Sequence, residues 1–270
     1  RRQVRPQPVP RRRRSSPVGD LLLVGRLELV SCVLGAGLAD RFAEHGLQLG
    51  LCARTEPQPR SSTTCLTGSV DVTDAIRVEQ FANAVLQRLG PIDLWINNAG
   101  VLDPIRPQRE IEPDDMYTAL AVNVGGVMNG TRTFTNQARM FQGPRRVLIN
   151  VSSGAATSIY EGWSVYGASK AAVDQFTRIT AAEEPDVLCY SVSPGLVDTP
   201  MQEKIRATSA KDFPAADRFI HAHAMGAWNS PSWIADHLLG ILTGTLAPET
   251  VVYRVPDEPP DHRGERPLHP

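Results

Sequence analysis

Tyr166 and Lys170 stand four residues apart in a stretch, Ser164 to about Ala182, that reads as a helix. A spacing of four puts both on one helix face, one turn apart. A phenol ionises at about pH 10 and is a poor proton-transfer group at neutrality. A neighbouring ammonium favours the phenolate, and bringing it within reach of neutral pH takes roughly 4 kcal/mol of differential stabilisation. A partly desolvated cation can supply much of that. Ser153, thirteen residues before the tyrosine, closes a strand and can hydrogen-bond a carbonyl. Asn123 falls inside a helical pattern, in Val122-Asn123-Val124-Gly125-Gly126, where asparagine has poor propensity. That invites a functional explanation, although a solvated helix position is the plainer reading. A Tyr-x-x-x-Lys pair is likewise common on amphipathic surfaces, so its weight depends on what positions it.

The positioning elements are short apolar runs that alternate with helical patterns. Strands are predicted at Leu47 to Ala53, Cys65 to Val70, Ile92 to Ile96, Arg145 to Val151, Val187 to Val192 and Val251 to Val255. Helices are predicted at Asp74 to Leu89, Asp114 to about Phe141, Ser164 to about Ala182 and Trp233 to Leu242. Alternation of this kind implies an α/β fold with a parallel sheet covered on both faces, and right-handed crossovers make it doubly wound. Ligands in such sheets bind beyond the carboxyl ends of the strands. Those ends carry Arg54, Asp71, Asn97-Asn98-Ala99-Gly100, Ser152-Ser153-Gly154 and Ser193-Pro194-Gly195, all small, polar or turn-forming apart from the arginine.

Asp71-Val72, Asn97-Asn98-Ala99-Gly100, Asn123-Val124-x-Gly126, Ser153, Tyr166-x-x-x-Lys170 and Pro194-Gly195-x-Val197-x-Thr199 together resemble the short-chain dehydrogenase/reductase family, over about residues 35–255. Glu161-Gly162-Trp163 before Ser164-Val165-Tyr166 resembles its sepiapterin reductase and benzil reductase branch. The resemblance implies a doubly wound, Rossmann-type, mostly parallel sheet with helices on both faces. It implies that Tyr166 is the general acid of carbonyl reduction, that Ser153 polarises the carbonyl, that Lys170 lowers the tyrosine pKa and holds the nicotinamide ribose, and that Asn123 anchors a water linking Lys170 to solvent. It further implies adenine contacts from Asp71 and Val72, ribose contacts from Asn98, Ala99 and Gly100, and carboxamide contacts from Val197 and Thr199. A homodimer or homotetramer is expected on the same ground.

Charge argues for the cofactor. A carboxylate at the end of the second strand repels a ribose 2′-phosphate, whereas arginine attracts it. Arg54 and Thr55 stand there, with no acid before Glu56, which favours NADPH over NADH. The phosphate loop is altered. With Gly35 as its last glycine, Val33 and Leu29 replace the other two and Glu28 replaces the usual threonine; in a second register Gly35 and Gly37 are the last two and Ser31 replaces the first. Such glycines allow backbone N–H groups to approach a pyrophosphate. Two readings stay open: a shifted start or reading frame before Leu34, or a degenerate, cofactor-deficient member acting as a binding or regulatory module.

Composition narrows the rest. The 270 residues are 41% hydrophobic with a net charge of −1, ordinary for a globular chain with a sizeable core. Residues 1–19, with seven arginines, and 256–270 are expected to be disordered ends of a single domain at 20–255. The body has no basic stripe with interleaved aromatics, so nucleic acid is not an expected partner. No apolar run approaches the roughly 20 residues of a membrane span. The four cysteines have no metal or disulfide spacing and no secretory leader is visible, so the cytoplasm is the expected location. His221-x-His223 would suit a metal only on a strand, and none is expected. The segment Met201 to Asn229, rich in Met, Phe, Ala and His, is expected to be a mobile lid over a small aromatic or diketone-like carbonyl substrate.

Overall fold

A computed structural model describes residues 20–24, 32–60, 62–141 and 145–263. The expected arm at 1–19 and the loop positions Glu28, Leu29 and Ser31 lie outside the described residues. Among the described residues, seven parallel strands form one sheet: β1 (Asp20–Val24), β2 (Leu49–Ala53), β3 (Cys65–Ser69), β4 (Ile92–Asn97), β5 (Val147–Val151), β6 (Leu188–Ser193) and β7 (Val252–Arg254). Their order is β3-β2-β1-β4-β5-β6-β7, so the chain switches direction across the sheet between β1 and β4. This is the doubly wound arrangement that the alternation predicts.

Helices α1 (Cys32–Glu44), α5 (Ser164–Glu183) and α8 (Pro231–Thr243), together with α2 (Ala75–Arg88), α3 (Pro113–Leu120) and α4 (Gly126–Met140), cover the two faces. Alternate residues of one strand feed opposite faces. Leu94 and Ile96 of β4 pack with Leu38 and Phe42 of α1 and Leu238 of α8. Trp95 between them packs with Phe81 and Val85 of α2 and Phe134 of α4. The central strands are buried on both sides, which explains their continuous apolar runs. Asp74 caps α2 by accepting from the N–H groups of Ile76 and Arg77, both at 3.0 Å. Among the described residues no helix is long and apolar enough to cross a membrane.

Two expectations change, for the long helix and for the C-terminal tail. The long helix at 114–141 is two helices, α3 and α4, joined by a π turn at Ala121–Gly125. The wider turn carries Asn123 inward, and the residue is fully buried rather than solvated. The expected lid contains two helices, α6 (Pro200–Ala207) and α7 (Ala216–Ala224). Residues 256–263 pack against the body instead of trailing as part of a tail. Glu258 is buried, its carboxylate accepts from Ser230 N at 2.6 Å and Ser230 Oγ at 2.9 Å, and its own N–H donates to Asn229 Oδ1 at 2.7 Å. Composition misled there because one capping carboxylate outweighs a proline-rich, polar context.

Candidate active site

The strands deliver their ends to one cavity of about 590 Å³, lined by Asn98 and Gly100 beyond β4, Ser153 beyond β5, and Pro194, Gly195, Val197 and Thr199 beyond β6. Tyr166 and Lys170 of α5 line the same cavity. Ser153 is held by its backbone and by Ala155, whose N–H donates to Ser153 Oγ at 3.2 Å. The Ser153 side chain interacts with the Tyr166 phenol and favours its ionised form. Lys170 Nζ lies 5.8 Å from the centre of the Tyr166 ring and donates to Val151 O at 2.8 Å.

Electrostatics depart from the expectation for the tyrosine. Burial pushes the Tyr166 phenol above its ordinary value, opposed by the Ser153 hydrogen bond; the lysine does not bring it down. The same burial pushes Lys170 down to about 8, opposed by the charge of Asp174. Desolvation disfavours both charged forms, and in the protein as it stands it outweighs the mutual help expected of a phenolate–ammonium pair. Tyr166 is therefore a neutral phenol at physiological pH, with its proton in place.

Asn123 works through the backbone. Its Oδ1 accepts from Val101 N at 2.7 Å, and its Nδ2 donates to Val101 O at 2.8 Å and to Ser169 Oγ at 3.1 Å. Ser169 in turn donates to Tyr166 O at 2.7 Å. Sequence reasoning missed Ser169, although its position three residues after Tyr166 puts it on the same helix face. It also missed Asn229, whose Nδ2 donates to Pro194 O at 2.9 Å and to Pro256 O at 3.1 Å. Asn229 closes on the turn at Gly195, where φ is +78° and a Cβ would lie 2.8 Å from Asn229 Nδ2; only glycine fits that turn.

The remaining expected cofactor residues are spread along the strand edge. Leu34 of α1 lines the cavity, and Gly35 follows it in the helix. Gly37 packs on α8, where a Cβ would lie 2.4 Å from Pro231 Cβ, so its smallness serves helix contact. Arg54 is half-buried just beyond β2, and Glu56 accepts from Thr67 Oγ1 at 2.5 Å. Asp71 is exposed, its Oδ1 accepting from Thr73 N at 2.9 Å and Thr73 Oγ1 at 2.8 Å. Val72 is buried against Gly126, and Ala99 is buried beside the cavity-lining Asn98 and Gly100. Arg54, Asp71, Val72, Ala99, Gly35 and Asn123 do not line the cavity itself. At Gly100 an added Cβ would sit 3.5 Å from both Asn123 Oδ1 and Lys170 Nζ, in space the glycine leaves open. His221 and His223 lie on helix α7 two residues apart, so they do not share a face.

Toward the lid the cavity is aromatic. Trp163 stacks on Phe213 at 4.5 Å and meets the Tyr166 ring edge-on at 5.5 Å. Phe219 of α7 lies 5.4 Å from Trp163, and Tyr160 lies 4.9 Å from it.

Comparison with known proteins gives this arrangement its context. The family model described as short chain dehydrogenase matches residues 30–210. A benzil reductase ((S)-benzoin forming) of Bacillus subtilis (strain 168) is 33% identical over 218 residues, 77% of this chain and 88% of its own. A sepiapterin reductase of Meriones unguiculatus is 30% identical over 215 residues, 68% and 80% of the two chains. Among solved structures the KRED1-Pglu enzyme superposes with a TM-score of 0.73 at 25% identity, over 87% of this chain and 99% of that one. The chain belongs to the short-chain dehydrogenase/reductase family, in the branch of the benzil and sepiapterin reductases, and is an NAD(P)-dependent oxidoreductase.

Proposed function

We propose that the protein reduces a small aromatic or diketone-like carbonyl to an alcohol, with NADPH as the preferred cofactor and Ser153, Tyr166 and Lys170 as the reacting site. The observation that carries this reading is that Ser153, Tyr166 and Lys170 line one cavity, with Lys170 Nζ 5.8 Å from the centre of the Tyr166 ring. The residues fit a nicotinamide nucleoside. Gly100 leaves open the space beside Asn123 and Lys170, and Asn98, Val197 and Thr199 line the adjoining wall. When bound, reduced nicotinamide supplies the hydride.

The chain's own residues supply the rest. A carbonyl oxygen seated between the hydroxyls of Ser153 and Tyr166 receives two hydrogen bonds in a desolvated place, where they count for more than in water. Burial keeps the Tyr166 proton in place until negative charge develops on that oxygen, and Tyr166 then donates it. Lys170, held on Val151 O, brings a positive charge to within reach of the phenol ring and favours the transfer. Asn123 and Ser169 fix the backbone on which Tyr166 stands. The aromatic wall of Tyr160, Trp163 and Phe219 suits an aryl ketone or diketone.

NADPH preference rests on Arg54 at the end of β2 and on the engagement of Glu56 by Thr67, which leaves arginine as the charge nearest the strand end in sequence. Cys65 and Cys189 are free thiols, and a cytoplasmic setting is part of the same proposal. A homodimer or homotetramer belongs to the same proposal, on the family resemblance. The test is turnover of benzil with NADPH and with NADH, together with a titration of NADPH fluorescence. Turnover that prefers NADPH supports the proposal. No binding at millimolar NADPH would make the chain a cofactor-deficient binding module instead.

A further inference from the structure

The cavity has a charge at its outer end that the reduction step does not use. Arg218 of α7 lines it, and its guanidinium carbon lies 5.7 Å from the centre of the Tyr160 ring. Among the described residues this ring contact is the only interaction of the Arg218 side chain. The other lining charges are committed: Lys170 to Val151 O, and Arg254 to Asp257 at 2.7 Å. Contacts run in order from Arg218 to Tyr160, from Tyr160 to Trp163 at 4.9 Å, and from Trp163 to Tyr166 at 5.5 Å. The cation is exposed while Tyr166 is buried, so the charge stands at the mouth and the reacting hydroxyls at the floor, with two aromatic rings between them.

Resting on the proposed reductase reading, we infer that the substrate is an aromatic carbonyl carrying an anionic group remote from the reacting carbonyl, with Arg218 as the residue that selects it. The aryl part of such a molecule runs along Tyr160 and Trp163. Its carboxylate meets a guanidinium that offers a planar fork of donors, in the geometry that binds carboxylates by two parallel hydrogen bonds. The Tyr160 ring, 5.7 Å from the guanidinium carbon, attracts the cation toward the cavity and lowers the entropy lost on binding.

The test compares benzil-4-carboxylate with its methyl ester, which has nearly the same shape and no charge. Binding to the full chain is measured by calorimetry with and without NADPH, and turnover is measured in parallel. The proteins are the native chain, Arg218→Met and Arg218→Lys. Native protein should bind the carboxylate about tenfold more tightly than the ester, with the advantage shrinking as salt is raised. Arg218→Met should abolish the advantage and change ester binding less than about twofold, and Arg218→Lys should keep part of it. Equal affinity for the two compounds, equal losses in Arg218→Met, or no binding of either would overturn the inference. Binding with the expected preference but no NADPH oxidation would leave the selectivity standing and overturn the reductase reading, so the two failures are distinct.

Discussion

Ser153 and Tyr166 line one cavity although one residue lies beyond the end of β5 and the other sits in the first turn of α5. Ser153 caps the short 3-10 turn at Gly154–Ala156, its Oγ accepting from Ala155 N at 3.2 Å, which fixes the side chain at the cavity wall. Ser153→Ala should lower kcat for carbonyl reduction by about 10²–10³ with circular dichroism unchanged. It should also let the Tyr166 phenol rise further, since the bond opposing burial is gone. An activity loss of only a few-fold would mean that Ser153 does not hold the carbonyl.

Lys170 makes a pH-dependent prediction. Its folded pKa is about 8 against 10.5 for the free side chain, so across that window the unfolded chain holds a proton that the folded chain has released. Stability therefore rises with pH there. Burial raises the Tyr166 phenol, which gives the opposite slope above about pH 10. Urea denaturation should show stability rising by as much as roughly 2 kcal/mol between about pH 8 and 10, and Lys170→Met should remove the rise. Reductase activity should fall over the same range as the ammonium is lost. A flat stability profile in the native protein would contradict the burial argument.

Asn123 satisfies both backbone groups of Val101 from inside a π turn. Asn123→Ala leaves those groups and Ser169 short of partners, at a cost of about 2–4 kcal/mol, readable as a shift in urea midpoint. Activity should fall in parallel, because Ser169 loses the contact that steadies the Tyr166 backbone. A variant as stable as the native chain would show that water replaces the side chain without penalty.

Arg54→Asp tests the cofactor argument. A carboxylate in that place repels a 2′-phosphate and accepts from a free ribose hydroxyl. The ratio of kcat/KM for NADPH over NADH should drop by about tenfold or more. An unchanged ratio would place the selectivity in another part of the loop.

Much of the sheet was legible because strands such as Ile92 to Asn97 are short, largely apolar runs, and the ends of β4, β5 and β6 carry polar or turn-forming residues; β1 (Asp20–Val24) was not among the expected strands. The Tyr166–Lys170 spacing put both residues on one helix face, and both line the cavity with Ser153, because local periodicity settles which way a side chain points. What stayed hidden depends on contacts distant in sequence. Asn123 reaches Val101 across 22 residues, Asn229 reaches Pro194 across 35, and Glu258 reaches Ser230 across 28. No period of 2 or 3.6 reports such pairs. The direction of the Tyr166 shift was misjudged for a related reason, since spacing shows a neighbouring ammonium and says nothing of how far both groups are removed from water.

The most direct measurement compares the rate of NADPH-dependent benzil reduction by the native chain with that of Tyr166→Phe, with NADPH affinity measured on both. Removing one oxygen from a buried ring should cut the rate by about 10²–10⁴ while the cofactor still binds and the fold is kept. A Tyr166→Phe protein that turns over within a few-fold of native would show that the proton comes from elsewhere.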